Sequence, residues 1–247
     1  MEGLRALLAT SFFGLAGLGL YFLSYDEVGI SVTGAELAPM GDGFMLTAKI
    51  ENTGRADRLT AIASDAAASV LLSGGAPDGL AIPAESAPGL SSDGVHGMIS
   101  GIIGGTEKGR LIPVSFWFER SGKVTARARI GDADINQGAS YGVPAGKVMP
   151  DVFITAKPEG QGWKVEVITS GFTFSKEAVD GPHQSGVGHG HLYLNDLRLQ
   201  PIYGPEVHVG ALPKGTHQLR VTLNTNDHRA YSVGGVAVTA IAEITVD

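Results

Sequence analysis

Beyond residue 27 the chain offers almost no helical periodicity. Short runs of alternating or β-branched residues recur instead, cut by Gly, Pro, Asn and Asp clusters, and 36 of the 247 residues are glycine. That punctuation confines the fold to the all-β class. Strands are expected at Phe44–Glu51, Ala68–Leu72, Val95–Ile99, Ile112–Arg120 and Lys123–Ile130, and again at Val152–Ala156, Trp163–Thr169, His191–Asn195, Gln218–Asn224 and Val236–Val246. Trp163, Val165 and Val167 alternate with Lys164, Glu166 and Ile168. Leu219, Val221 and Leu223 alternate with Gln218, Arg220 and Thr222. Each set marks a strand with one buried face. Gly, Pro and small polar residues dominate 132–150, which reads as a connection. The expected architecture is two tandem β-sandwich or Greek-key domains, residues 28–131 and 151–247, following an N-terminal transmembrane segment in residues 1–27.

That first segment suggests the compartment. Ala6 to Leu23 carries no charge, Arg5 precedes it, and Asp26 and Glu27 follow. Such a run suffices to span a bilayer, and the preceding Arg favours an inside N-terminus with the remainder exported. No clear A-x-A site follows, so an uncleaved anchor is expected. The bulk of the chain is then placed in the periplasm, against a bacterial inner membrane. A net charge of -7 argues against a nucleic-acid partner. The chain has no cysteine. Disulfides, thiolate zinc sites, iron–sulfur clusters and thiolate-based blue copper are therefore excluded.

Within residues 30–131, four ordered blocks stand out: K-I-E-N-T-G-R-A-D-R-L at 49–59, L-A-I-P-A-E-S at 80–86, V-H-G-M-I at 95–99 and L-I-P-V-S-F-W-F-E-R-S-G-K-V-T at 111–125. In order and spacing they resemble the PCu(A)C-type periplasmic copper chaperones. The resemblance implies a cupredoxin-like β-barrel that holds one copper ion with two His and two Met and delivers it to a respiratory oxidase. His96 and Met98 match the family's downstream H-x-M, an imidazole and a thioether suited to Cu(I). The upstream half does not match. Leu72 stands where the first His would fall, and the Met-bearing segment is shortened to Gly74–Asp78. Met40, Met45 and Met149 are further thioethers; Met45 is expected in the core.

Six of the seven histidines lie between His183 and His228. Histidine is the commonest metal ligand. His189 and His191, at i and i+2 in extended chain, share a face with Tyr193, while Leu192 and Leu194 take the other. Their Cα atoms lie about 7 Å apart by strand rise, so both rings can reach one ion. Gly186, Gly188 and Gly190 allow close backbone approach. Asp227-His228 ends the strand Gln218–Asn224, and Asp227 is a candidate to orient its neighbour or to bind. If those two strands are neighbours, His189, His191 and His228 meet at one sheet end. His208, in Y-G-P-E-V-H, is a further candidate. The expected metal ligands are thus His96, Met98, His189, His191, His208 and His228, and the expected ion is copper.

The metalloprotease, α/β-hydrolase and P-loop motifs are absent from the sequence, and Ser185 near His183 and Asp180 is proximity only. No enzymatic role is expected. The expected function is that of a membrane-anchored periplasmic copper chaperone, its partners copper, the membrane and a membrane-bound client such as an oxidase. The alternative is an interaction module in an exported assembly, with a degenerate metal site. An enzyme using a His-bound ion with an open position is a third reading.

Overall fold

The computed structural model describes residues 29–74, 78–132 and 139–247. The expected anchor, Ala6 to Leu23, lies outside them. Among the described residues every regular element is a strand, and no helix is long and apolar enough to cross a membrane.

The N-terminal half contains β1 (Ile30–Met40), β2 (Gly43–Asn52), β3 (Asp57–Ala63), β4 (Ala67–Leu72), β5 (Leu80–Ile82), β6 (Gly89–Leu90), β7 (Gly97–Ile102), β8 (Leu111–Phe118) and β9 (Gly122–Ile130). They pair in the order β4-β7-β2-β1-β9-β8-β3-β5. All contacts are antiparallel except β1 with β9. Leu37, Leu46, Ile50, Leu59, Ile99, Ile112 and Phe116, all fully buried, fill the interior. The alternation that sequence reading relied on is visible in β8, where Ile112, Val114, Phe116 and Phe118 point inward. Strand β1 was not expected. Gly34, at φ +57°, sits in a bulge between Thr33 and Glu36 that interrupts the alternation.

The C-terminal half contains β10 (Ser140–Gly142), β11 (Asp151–Glu159), β12 (Gly162–Ser170), β13 (Thr173–Phe174), β14 (Val187–Leu194), β15 (Leu197–Ile202), β16 (Glu206–Val209), β17 (Gly215–Thr225), β18 (Ala230–Val233), β19 (Val236–Ala237) and β20 (Thr239–Val246). One layer is the sheet β11-β12-β16. The other is built on β15-β14-β17-β20, extended by β18 beside the end of β17. Val165 and Val167 face Leu219, Val221 and Leu223 across the space between the layers. Each such burial is worth about 1.5–3 kcal/mol relative to exposure. Residues 132–150, expected as connection, carry the strand β10, which pairs parallel with β18.

The halves are joined by backbone. Arg198 of β15 bridges Gly89 of β6, Val95 N–H donates to Asp196 O at 3.0 Å, and Ala84 N–H donates to Ala211 O at 2.9 Å. Leu197 belongs to the first core and Ala81 to the second. Asn195 and Asp196 form the tight turn between β14 and β15, both at positive φ as a two-residue type I′ hairpin requires. That turn presses on the loop before β7 and brings Asp93 against the second half.

Candidate metal centre

Strand β14 carries His189, His191 and Tyr193 on one face, with Leu192 and Leu194 in the core on the other. It pairs with β17 so that His189 lies opposite Asn224. The chain then turns through Thr225–His228, closed by His228 N–H donating to Thr225 O at 3.0 Å. This turn returns the His228 ring over the same sheet end. His228 adopts φ +65°, a left-handed conformation that costs about 1 kcal/mol or more for a residue with a Cβ.

The three rings converge. One nitrogen from each of His189, His191 and His228 lies within 4.8 Å of the other two. The Nε2 atoms of His189 and His191 are 3.0 Å apart, and the His189 and His228 ring centres are 4.8 Å apart. Gly188, beside His189, is sterically required. A Cβ on Gly188 would lie 1.9 Å from Asn224 O, so the β14–β17 contact that aligns the site depends on its absence.

Carboxylates hold two of the rings from behind. Asp93 Oδ2 lies 2.9 Å from His191 Nδ1 and also accepts from Tyr193 Oη–H at 2.7 Å. Asp180 Oδ1 lies 2.7 Å from His228 Nε2. A neutral ring whose held nitrogen carries the proton donates it to the carboxylate and keeps a lone pair on the other nitrogen. This is the carboxylate–histidine arrangement that orients metal-binding imidazoles. Burial would raise the Asp93 carboxyl, but the hydrogen bond from His191 and the Arg198 charge hold it well below the usual carboxylate range. Burial and the neighbouring His191 and His228 bring His189 down to about 3. His191 is also lowered by burial, against the pull of Asp93. His189 is thus a neutral imidazole at pH 7, the form that binds metals.

The hydrogen bonds within the cluster do not close. His191 Nε2 has one in-plane lone pair, yet His189 Nε2 at 3.0 Å and Arg198 Nη2 at 2.9 Å both approach it. If His189 donates from Nε2, its buried Nδ1 is an acceptor with no partner. If it is protonated on Nδ1, that donor is stranded and two lone pairs face each other. A cation between the rings removes the second conflict, so the residues present fit a metal ion bound by nitrogen. The cluster opens on a cavity of about 600 Å³ between the halves, lined in part by Asp93, Val95, Arg198, Arg220 and Thr222.

The other expected ligands lie apart from this group. His96 precedes β7 instead of lying within a strand; its backbone is bound on both sides by Ser73, and its Nδ1 faces Gly94 O at 3.1 Å. Met98 sits in β7 between Met45 and Leu71 and lines a shallow surface pocket with Met40. Met45 is in the core. His208 is on β16, paired with Glu159 at 2.7 Å on the exposed surface. His217 is buried, with Nε2–H donating to Pro213 O at 2.8 Å. The His183 ring packs 4.0 Å from that of Tyr141. Asp227 does not orient His228: its carboxylate is taken by Arg229 at 2.7 Å, and Asp180, 48 residues away, holds the ring instead. Asp93, Asp180 and Arg198 carried no signal in the sequence.

Residues 30–130 match the family model described as "LpqE-like: Putative lipoprotein LpqE-like". The stretch whose motifs resemble the PCu(A)C chaperones, about 30–131, is the stretch matched. Among solved structures, a copper-bound PCuAC domain from PmoF2 aligns with 43% of this chain and 94% of its own, at 24% identity and a TM-score of 0.37. An apo PCuAC domain from PmoF1 aligns with 43% and 95%, at 23% identity and a TM-score of 0.38. No curated protein matches the chain.

Proposed function

We propose that this is an exported, membrane-anchored copper-binding protein of the chaperone type, which carries copper on His189, His191 and His228 and passes it to a membrane-bound client. The observation that carries the reading is the convergence of three imidazoles, two of them held from behind by Asp93 and Asp180. Imidazole donors without thiolate suit copper among the ions that nitrogen sites take. The copper-bound PCuAC domain similar to the N-terminal half is consistent with that choice. Copper is cargo in this scheme. His228, 44% exposed at its side chain, gives the ion a route in and out through the cavity. The anchor would raise the carrier's effective concentration near a membrane client.

In the N-terminal half, His96 and Met98 supply two donors and Leu71 and Leu72 pair across from β7. Two ligands rarely hold an ion selectively, so the cluster in the C-terminal half takes the load. The test is a competition titration of copper into the full chain, with His189→Ala/His191→Ala as comparison. Loss of tight binding in the variant supports the reading; equal binding by both removes it.

The open cavity beside three converging imidazoles also favours a second reading, a metal-dependent hydrolase with a fourth position for water. Ester hydrolysis by the zinc-loaded chain, abolished in the same double variant, would favour it over transport.

A further inference from the structure

Arg198 stands at the mouth of the cluster, its guanidinium against the ring of His191 on the side away from Asp93. It lies in β15, one position past the hairpin pair, with its backbone bridged to Gly89 and registered against Tyr193. Its Nη2 is 2.9 Å from His191 Nε2, the nitrogen whose lone pair turns toward His189 because Nδ1 faces Asp93. The guanidinium is always charged. It therefore puts a cation where the copper ion of the proposed function would bond. Its ion pair with Asp93 is long, 3.7 Å, and its side chain is 32% exposed to the cavity. A side chain so placed can swing outward while Asp93 keeps its hydrogen bonds from His191 and Tyr193. Arg220, the other cation of the cavity, is differently engaged: it stacks on Tyr193 at 3.8 Å and bonds Asp196 and Thr222.

We propose that Arg198 is a displaceable placeholder, a built-in cation that caps the His191 lone pair until an incoming metal ion expels it. The proposal rests on the copper-carrier reading of this cluster and adds how the ion is exchanged. Metal binding must break the Arg198–His191 hydrogen bond and move one positive charge away from another. Release is helped by the return of the same side chain. Affinity is thereby traded for exchange, as a protein that hands on its cargo requires. Because guanidinium does not deprotonate, this competition persists at every pH, unlike competition by protons for the rings.

The experiment measures copper affinity of the full chain by competition with a chromophoric chelator, and the rate at which excess chelator removes the ion. Wild type, Arg198→Met, Arg198→Lys, Arg220→Met and His189→Ala/His191→Ala are compared. A hydrogen bond to a charged group corresponds to about tenfold to a hundredfold in affinity. Arg198→Met, which keeps the stem and loses the charge, is expected to bind copper at least about tenfold more tightly and release it correspondingly more slowly. Arg198→Lys keeps a cation and is expected to stay within a few fold of wild type. Arg220→Met is expected to change affinity far less than Arg198→Met. Unchanged or weaker binding by Arg198→Met overturns the placeholder, as does equal tightening by Arg220→Met, which would reduce the effect to net charge. If the double-alanine variant loses copper while Arg198→Met equals wild type, the placeholder alone fails. If the double-alanine variant binds like wild type, the carrier reading fails and takes the placeholder with it.

Discussion

Replacing Asp93 by Asn tests whether the N-terminal half contributes to a metal site whose ligands all lie in the C-terminal half. The Asp93 carboxylate accepts from His191 Nδ1–H at 2.9 Å and from Tyr193 Oη–H at 2.7 Å, with the Arg198 guanidinium 3.7 Å away. All three partners approach the same oxygen, Oδ2, so an Asn carbonyl in its place keeps both hydrogen bonds only as neutral ones and loses the ion pair with Arg198. Charge-assisted hydrogen bonds are roughly twice as strong as neutral ones, so the lost charge costs about 0.5–2 kcal/mol per bond. His191 also loses the anion that makes its far nitrogen a stronger donor. Loss of such a partner typically weakens metal binding about 10- to 100-fold, or about 1.4–2.7 kcal/mol at 1.36 kcal/mol per tenfold. Folding stability falls as well. The Asp93 carboxyl is depressed in the folded state, so its contribution is present above the unfolded value of about 3.9 and is lost as pH falls through the lower folded one. Asp93→Asn should therefore unfold at lower urea than wild type at pH 7, with the gap narrowing in strong acid. Copper affinity comes from chelator competition at pH 7. Affinity within twofold of wild type, with stability unchanged, would refute the idea that this carboxylate sets the ring.

Three further outcomes follow from the same geometry. His189 has its pKa lowered to about 3, so the unfolded chain takes up its proton first and stability is lost as pH falls below about 6.5, by about 1.4 kcal/mol per pH unit. His189→Gln should lose about 2 kcal/mol less than wild type between pH 6.5 and 5 in urea unfolding; equal losses would contradict the assignment. Gly188→Ala places a Cβ 1.9 Å from Asn224 O, and the forced shift should cost about 2–3 kcal/mol or more, read as a lowered melting temperature and weaker copper binding together. His208→Ala removes only an exposed pair with Glu159; stability should change by less than about 1 kcal/mol and copper affinity not at all.

Strand content was legible wherever alternation was clean. Lys123–Ile130 was expected and Gly122–Ile130 is observed; Gln218–Asn224 extends at both ends into β17. Alternation failed where a bulge broke it, as at Gly34 in β1, and where a strand was three residues long among glycines, as in β10. The run expected as Val236–Val246 divides at Val238, whose N–H donates to Tyr231 O and whose carbonyl accepts from Leu223 N–H. His189 and His191 were readable as a pair because the two-residue period of a strand puts i and i+2 on one face. Their meeting with His228 depended on β14 lying beside β17, a pairing that only the tertiary structure fixes. The supporting residues were beyond reach for the same reason. Asp93 is 98 residues from His191, and Asp180 is 48 from His228. The neighbouring Asp227 looked like the partner by proximity, but a short turn aims its carboxylate at Arg229.

The central claim is that one copper ion binds where His189, His191 and His228 converge. Anomalous diffraction at the copper edge, on crystals of the full chain grown with copper, tests it most directly. The account predicts a single strong peak about 2 Å from a ring nitrogen of each of the three, with Arg198 turned away. A peak beside His96 and Met98 with none at the three rings would contradict it.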